Sequence, residues 1–199
     1  MRKIFLPLAA ALCLLLTGCG SKAYQQQHQA LQQRMGQSPV LSFRADIRAE
    51  YPDKTARFTL GYSRDESGAV VEILAPKLVA GVKARLEPDG SSLEYDGLML
   101  GTGDLDSHGL SPMSCLPLLV SCLERGTLDS GSQDGADSVL ELQDSDDLRC
   151  RVWLSGAELL PSRAELISEG RVMVFADIHD WQLGPAPETA APSDTQEPE

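Results

Sequence analysis

Aromatic residues are scarce in this chain, at 5%, and so are basic ones, with 17 Lys and Arg against 29 Asp and Glu. With no basic stripe to displace counterions from phosphates, nucleic acid is excluded as a partner. Histidine is scarcer still. His28, His108 and His179 lie far apart without metal-site spacing, and they read as surface groups or satisfied core groups. No apolar run reaches the ~20 residues of a membrane-spanning helix; the run from Ile4 to Leu16 has 13. What remains is 199 residues, 42% apolar, at a formal charge of −12. That is the composition of one folded domain, not of a collagen-like or wholly disordered chain.

Catalytic patterns are missing as well. Gly101-Thr102-Gly103-Asp104-Leu105-Asp106 lacks the third glycine and the following helix of a phosphate-binding turn. Asp104 and Asp106 supply too few oxygens for a calcium loop. Ser114 beside Cys115 sits in no nucleophile-elbow pattern. Nothing in the residues calls for catalysis, a metal or a cofactor, and the chain reads as a non-enzyme.

The N-terminus carries an address. Arg2 and Lys3 precede the 13-residue apolar run, which has the length of an export-signal core. The run ends in Leu16-Thr17-Gly18-Cys19, which resembles the lipobox of bacterial lipoproteins. There a diacylglycerol is added to the Cys thiol, the preceding peptide is removed and a further acyl chain such as palmitate follows. Residues 1–18 are thus expected to be a signal peptide, Cys19 the lipidated first residue and 19–23 a short linker. Two or more acyl chains anchor a protein stably without a spanning helix. The expected location is extracytoplasmic, tethered to a bacterial membrane by this lipid. Once Arg2 and Lys3 are gone, 15 bases face 29 acids, a net of −14. Lipid, not surface charge, must then hold the protein to its membrane. At the other end, residues 184–199 are Pro, Ala, Thr, Ser and acid, which predicts an unstructured tail.

Between these ends the pattern is that of strands. Lys22 to Met35 places Tyr24, His28, Leu31 and Met35 at helical spacing before Gly36 and Pro39. Val40 to Tyr51 alternates, with Phe43, Ala45, Ile47, Ala49 and Tyr51 on one face, and Ala56, Phe58, Leu60 and Tyr62 answer it after the Pro52-Asp53 turn. Val71 and Ile73, then Val82, Ala84 and Leu86, then Leu93 and Tyr95 extend the same apolar face. Pro112 to Arg125 reads as an apolar helix, started or interrupted at Pro117 and stopped by Gly126. Residues 127–147 hold seven acids and no base, read as a solvated loop around a short strand at Val139 to Leu142. Leu148 to Leu154, Ser162 to Ser168 and Arg171 to Leu183 are strands again, the last two joined at Glu169-Gly170. Eight to ten meandering strands with one apolar face must stack as two sheets or curl into a barrel or half-barrel, so the expected fold is mainly β (α+β): a curved antiparallel sheet, with an N-terminal helix and a short second helix to cover an open mouth.

The order of elements resembles the LolA/LolB-like bacterial lipoproteins, a superfamily that includes outer-membrane lipoprotein-sorting proteins and germination lipoproteins of the GerS type. The resemblance lies in Val71-Glu72-Ile73-Leu74-Ala75-Pro76 leading to Ala80-Gly81-Val82, in Leu93-Glu94-Tyr95-Asp96-Gly97-Leu98, and in Leu160-Pro161-Ser162-Arg163-Ala164-Glu165 followed by Glu169-Gly170-Arg171 and Asp180-Trp181-Gln182-Leu183. It spans residues 24–183 and implies an unclosed barrel whose apolar cavity holds the acyl chains of a lipid or lipoprotein. The cavity residues in this sequence are then Phe43, Ile47, Phe58, Leu60, Ile73, Val82 and Leu86 from the sheet, with Leu116, Leu119 and Val120 from the helix. An acceptor of LolB type also presents a protruding apolar residue; Leu98, Met99 and Leu100 are candidates, although a buried strand explains them better. The alternative is a non-catalytic scaffold of the cell envelope, of sporulation or germination type, whose core is filled and whose partner is a protein.

Three cysteines follow Cys19. Cys115 and Cys122, seven apart on one helix, stand about 10 Å apart, beyond disulfide reach. Cys150 bonded to either one would staple the helix to the sheet; the other reading is three free, packed thiols.

Overall fold

The computed structural model describes residues 19–51, 53–87, 90–101 and 111–184. The export signal, residues 102–106, His108 and the tail beyond Gly184 lie outside them.

Helix α1 (Cys19–Gly36) buries Leu31 and Met35 as its spacing requires. A first meander follows: β1 (Val40–Tyr51), β2 (Lys54–Asp65), β3 (Gly68–Ala75), β4 (Lys83–Glu87), β5 (Gly90–Tyr95) and β6 (Leu98–Gly101). After α2 (Cys115–Arg125) comes a second: β7 (Thr127–Asp134), β8 (Asp137–Gln143), β9 (Leu148–Ser155), β10 (Leu160–Ser168) and β11 (Arg171–Gly184). The meanders join through their first and last strands, β1 pairing antiparallel with β11 so that Ala45 faces Ile178 and Ile47 faces Ala176. The result is a single antiparallel sheet in the order β6-β5-β4-β3-β2-β1-β11-β10-β9-β8-β7. It does not close, because β6 and β7 remain its two edges. This is the expected fold class, with eleven strands where eight to ten were read.

Alternation decides which face is buried. Phe43 pairs with Tyr62, Ala45 with Leu60 and Ile47 with Phe58, placing all six on the inner face, where both helices pack. Arg44, Asp46 and Arg48 fall on the outer face, where Arg48 stacks 4.0 Å above the Phe175 ring and Arg151 pairs with both Glu141 and Glu165 at 2.9 Å.

Two local expectations are corrected, and a third is met with a geometry of its own. In the acidic stretch 127–147 the expected strand at Val139 to Leu142 lies within β8, but residues 127–134 are a second strand and not a loop: Asp134 to Asp137 turns tightly through Gly135 at φ +60, and the cross-strand ladder supplies the regularity that β7's polar sequence conceals. Leu98–Leu100 form a strand, but on the sheet's edge, and they are 76%, 65% and 67% exposed. Gly126 ends α2 in an extended conformation (φ −58, ψ 145), not the left-handed one usual for a stop glycine. Glycine suits that site for space, since a Cβ would lie 2.4 Å from the Cys122 carbonyl oxygen.

Polar clasps fix the helices. Gln32 Nε2 donates to the Glu124 and Gly126 carbonyls at 3.1 Å. Arg64 on β2 pairs with Glu124 on α2 and donates to the carbonyls of Met35 and Ser38 at the end of α1. At α1's other end the Tyr24 ring lies over Gly131, where a Cβ would come within 2.2 Å of it.

Candidate functional site

The inner face is the expected site, and its two halves differ. Under the helices it is packed solid: Phe43, Ile47, Leu60, Leu116, Leu119 and Val120 are at most 3% exposed, and Ile73 is 7% exposed. Side chains around a hollow wide enough for an acyl chain would carry accessible surface, and these carry almost none. Helix α2 inserts Leu116, Leu119 and Leu123 as one stripe, a spacing of three and four that its apolar sequence dictates. Phe43 stacks on Tyr62 at 5.1 Å between centroids and meets Trp181 at 4.3 Å, filling the β1–β11 seam. Burial pushes the Tyr62 hydroxyl up to about 12.

Towards β6 the same face opens. Phe58, Val82 and Leu86 are half-buried at the margin of the core. Beyond them the ladder sets Leu93 opposite Leu100 and Tyr95 opposite Leu98, which continues the apolar row to the sheet edge. Leu93 is half-buried, Tyr95 is 51% exposed and Leu98 and Leu100 are more so. Met99, across from Glu94, points to the outer face. Leu78, in the β3–β4 connection, is 89% exposed, and Leu74, on the outer face of β3, is 37% exposed. All the large exposed apolar side chains among the described residues therefore lie between 74 and 100, on one arm of the sheet. Such concentration marks an interaction surface.

Structure thus brings the ten expected cavity residues together on one face but divides them between a solid half and an open arm. Leu78 and Tyr95 were missed. The signal for Leu78 was present: a leucine in the turn between Pro76 and Gly81, outside the alternating strands.

No family model matches the chain, and no curated protein matches it. Solved structures do. An uncharacterized conserved protein from Thermus thermophilus matches at a TM-score of 0.50 and 11% identity over 87% of this chain and 97% of that one. A LolA superfamily protein from Nitrosomonas europaea matches at 0.45 and 12%, over 82% and 94%. An outer membrane lipoprotein-sorting protein domain from Vibrio parahaemolyticus gives 0.46 and 11%, over 83% and 95%. At these identities the likeness is one of fold.

Depressions elsewhere are of another kind. One of about 710 Å³ mixes charged groups of the outer face, Asp46, Arg48, Arg57, Arg163 and Asp177, with the apolar Ile47, Phe58, Pro76, Phe175 and Ala176. Among the described residues no three His, Cys, Asp or Glu side chains group to hold a metal, and no helix is long and apolar enough to cross a membrane.

Proposed function

We propose that the protein is a bacterial lipoprotein, tethered through lipid on Cys19, that takes an acyl chain of a lipid or of another lipoprotein along the open arm of its sheet. The observation that carries this is the apolar row Val82, Leu86, Leu93, Leu98 and Leu100, which leaves the core margin and ends exposed at β6. Covering Leu98 and Leu100 would contribute about 1.5–3 kcal/mol each. An acyl chain needs no hydrogen bonds, and the row offers none. Leu78, exposed in the β3–β4 connection, offers a further apolar contact for a membrane or a donor protein. No step of this role needs a catalytic residue, and the export signal ahead of Cys19 accords with an extracytoplasmic place.

The scaffold reading has its own support in the solid packing beneath the helices, which leaves no enclosed cavity there. Native mass spectrometry decides between them. The protein extracted from membranes in mild detergent is expected to carry a phospholipid or a fatty-acyl ligand beyond its own anchor, and Leu98→Ser with Leu100→Ser is expected to reduce the bound fraction at least tenfold without lowering the melting temperature. A protein without bound lipid that retains an envelope protein partner would establish the scaffold and reject the carrier.

A further inference from the structure

Helix α2 and strand β9 each bury a thiol against the same patch of sheet. We propose that Cys122 and Cys150 are joined by a disulfide in the exported protein, fastening α2 to β9 and leaving Cys115 as the free thiol. Cys115, Cys122 and Cys150 are all buried and unbonded in this structure. Cys122 Sγ lies 3.9 Å from the carbonyl oxygen of Leu142. Leu142 stands directly across the β8–β9 ladder from Cys150, on the same inner face, so one narrow space between α2 and the sheet holds both sulfurs. The titration of Cys150 agrees: its thiol is raised well above the ordinary value, first by the Cys122 side chain beside it and then by burial. Cys115 is placed differently. Two turns, about 10 Å, separate it from Cys122 along the helix, and its sulfur is turned to the Pro112 carbonyl at 3.2 Å. Of the two pairings open to Cys150, only the one with Cys122 has its partner at hand.

The chemistry requires a disulfide-bearing oxidant, which an extracytoplasmic compartment supplies. The Cys122 thiolate attacks one sulfur of that oxidant and expels the other as a thiolate, leaving a mixed disulfide. The Cys150 thiolate then attacks the Cys122 sulfur and releases the second oxidant thiol. Two protein thiols are oxidised to one disulfide while one oxidant disulfide is reduced to two thiols. Both steps must precede complete packing, because burial puts both thiols out of an oxidant's reach and holds Cys150 protonated.

The inference rests on the export reading, and its test separates the two. Full-length protein is isolated from membranes in detergent, alkylated in denaturant without reductant and mapped by mass spectrometry. Cys115 is expected to be alkylated, with Cys122 and Cys150 in one cross-linked peptide, and reduction is expected to lower the melting temperature by about 10 °C, as for a loop of this length. Alkylation of both Cys122 and Cys150 would overturn the proposal. In that event, the same chain reduced, unfolded and refolded with oxidised glutathione identifies the fault: closure there rejects the export reading, and failure to close rejects the apposition.

Discussion

His28 is the side chain whose chemistry the fold disturbs in a direct way. It lies on α1 at 8% exposure, and its Nε2 atom has no hydrogen-bond partner among the described residues. Burial lowers its pKa below 6.5, opposed only in part by a hydrogen bond to the Gly126 backbone. The folded state therefore holds the ring neutral, while the unfolded chain binds a proton near 6.5. Stability from this group is complete above that value and declines as the pH falls from 6.5 towards the lowered folded value. Urea midpoints are expected to fall between about pH 7.5 and about pH 5.5, and His28→Leu is expected to flatten that dependence; equal slopes in the two proteins would assign the pH response to other groups.

At the scale of elements, the helices are held to the sheet by few polar contacts and one apolar stripe. Arg64 joins three elements at once, and its side chain is only 23% exposed. Arg64→Ala strands the Glu124 carboxylate and two carbonyls, and is expected to cost about 2 kcal/mol. Chemical denaturation checks this, and a change under about 0.5 kcal/mol would show that water replaces the guanidinium freely. Much of this level was legible in the sequence. Val40–Tyr51 reads as β1 to the residue, because a strand with one wet face must alternate. The β7 strand was not legible: its Leu128 is the only large apolar residue, and its regularity comes from β8 and from Tyr24 over Gly131. Equally hidden was the division of the site, since Phe43 and Leu86 look alike as alternating apolar residues, and only the fold supplies the Tyr62 and Trp181 rings that make Phe43 solid core while Leu86 stays at the margin. Leu98 to Leu100 invite burial on composition, but the sheet ends with them.

For the whole molecule, the decisive contact is the seam between β1 and β11. Each meander has mostly local pairings, whereas this seam joins strands more than a hundred residues apart. A chain stopped at Gly170 keeps β1 to β10 but loses the strand that bonds both meanders. It is expected to be degraded by dilute protease under conditions in which the full chain survives, and resistance equal to the full chain's would mean that the inner-face packing alone holds the halves together. The packing favours the first outcome, since Val174, Ala176 and Ile178 of β11 all belong to the buried core.

That seam also sets a clock. Among the described strands the one that completes the sheet comes after all those it joins, so the two meanders stay unconnected until β11 has been made.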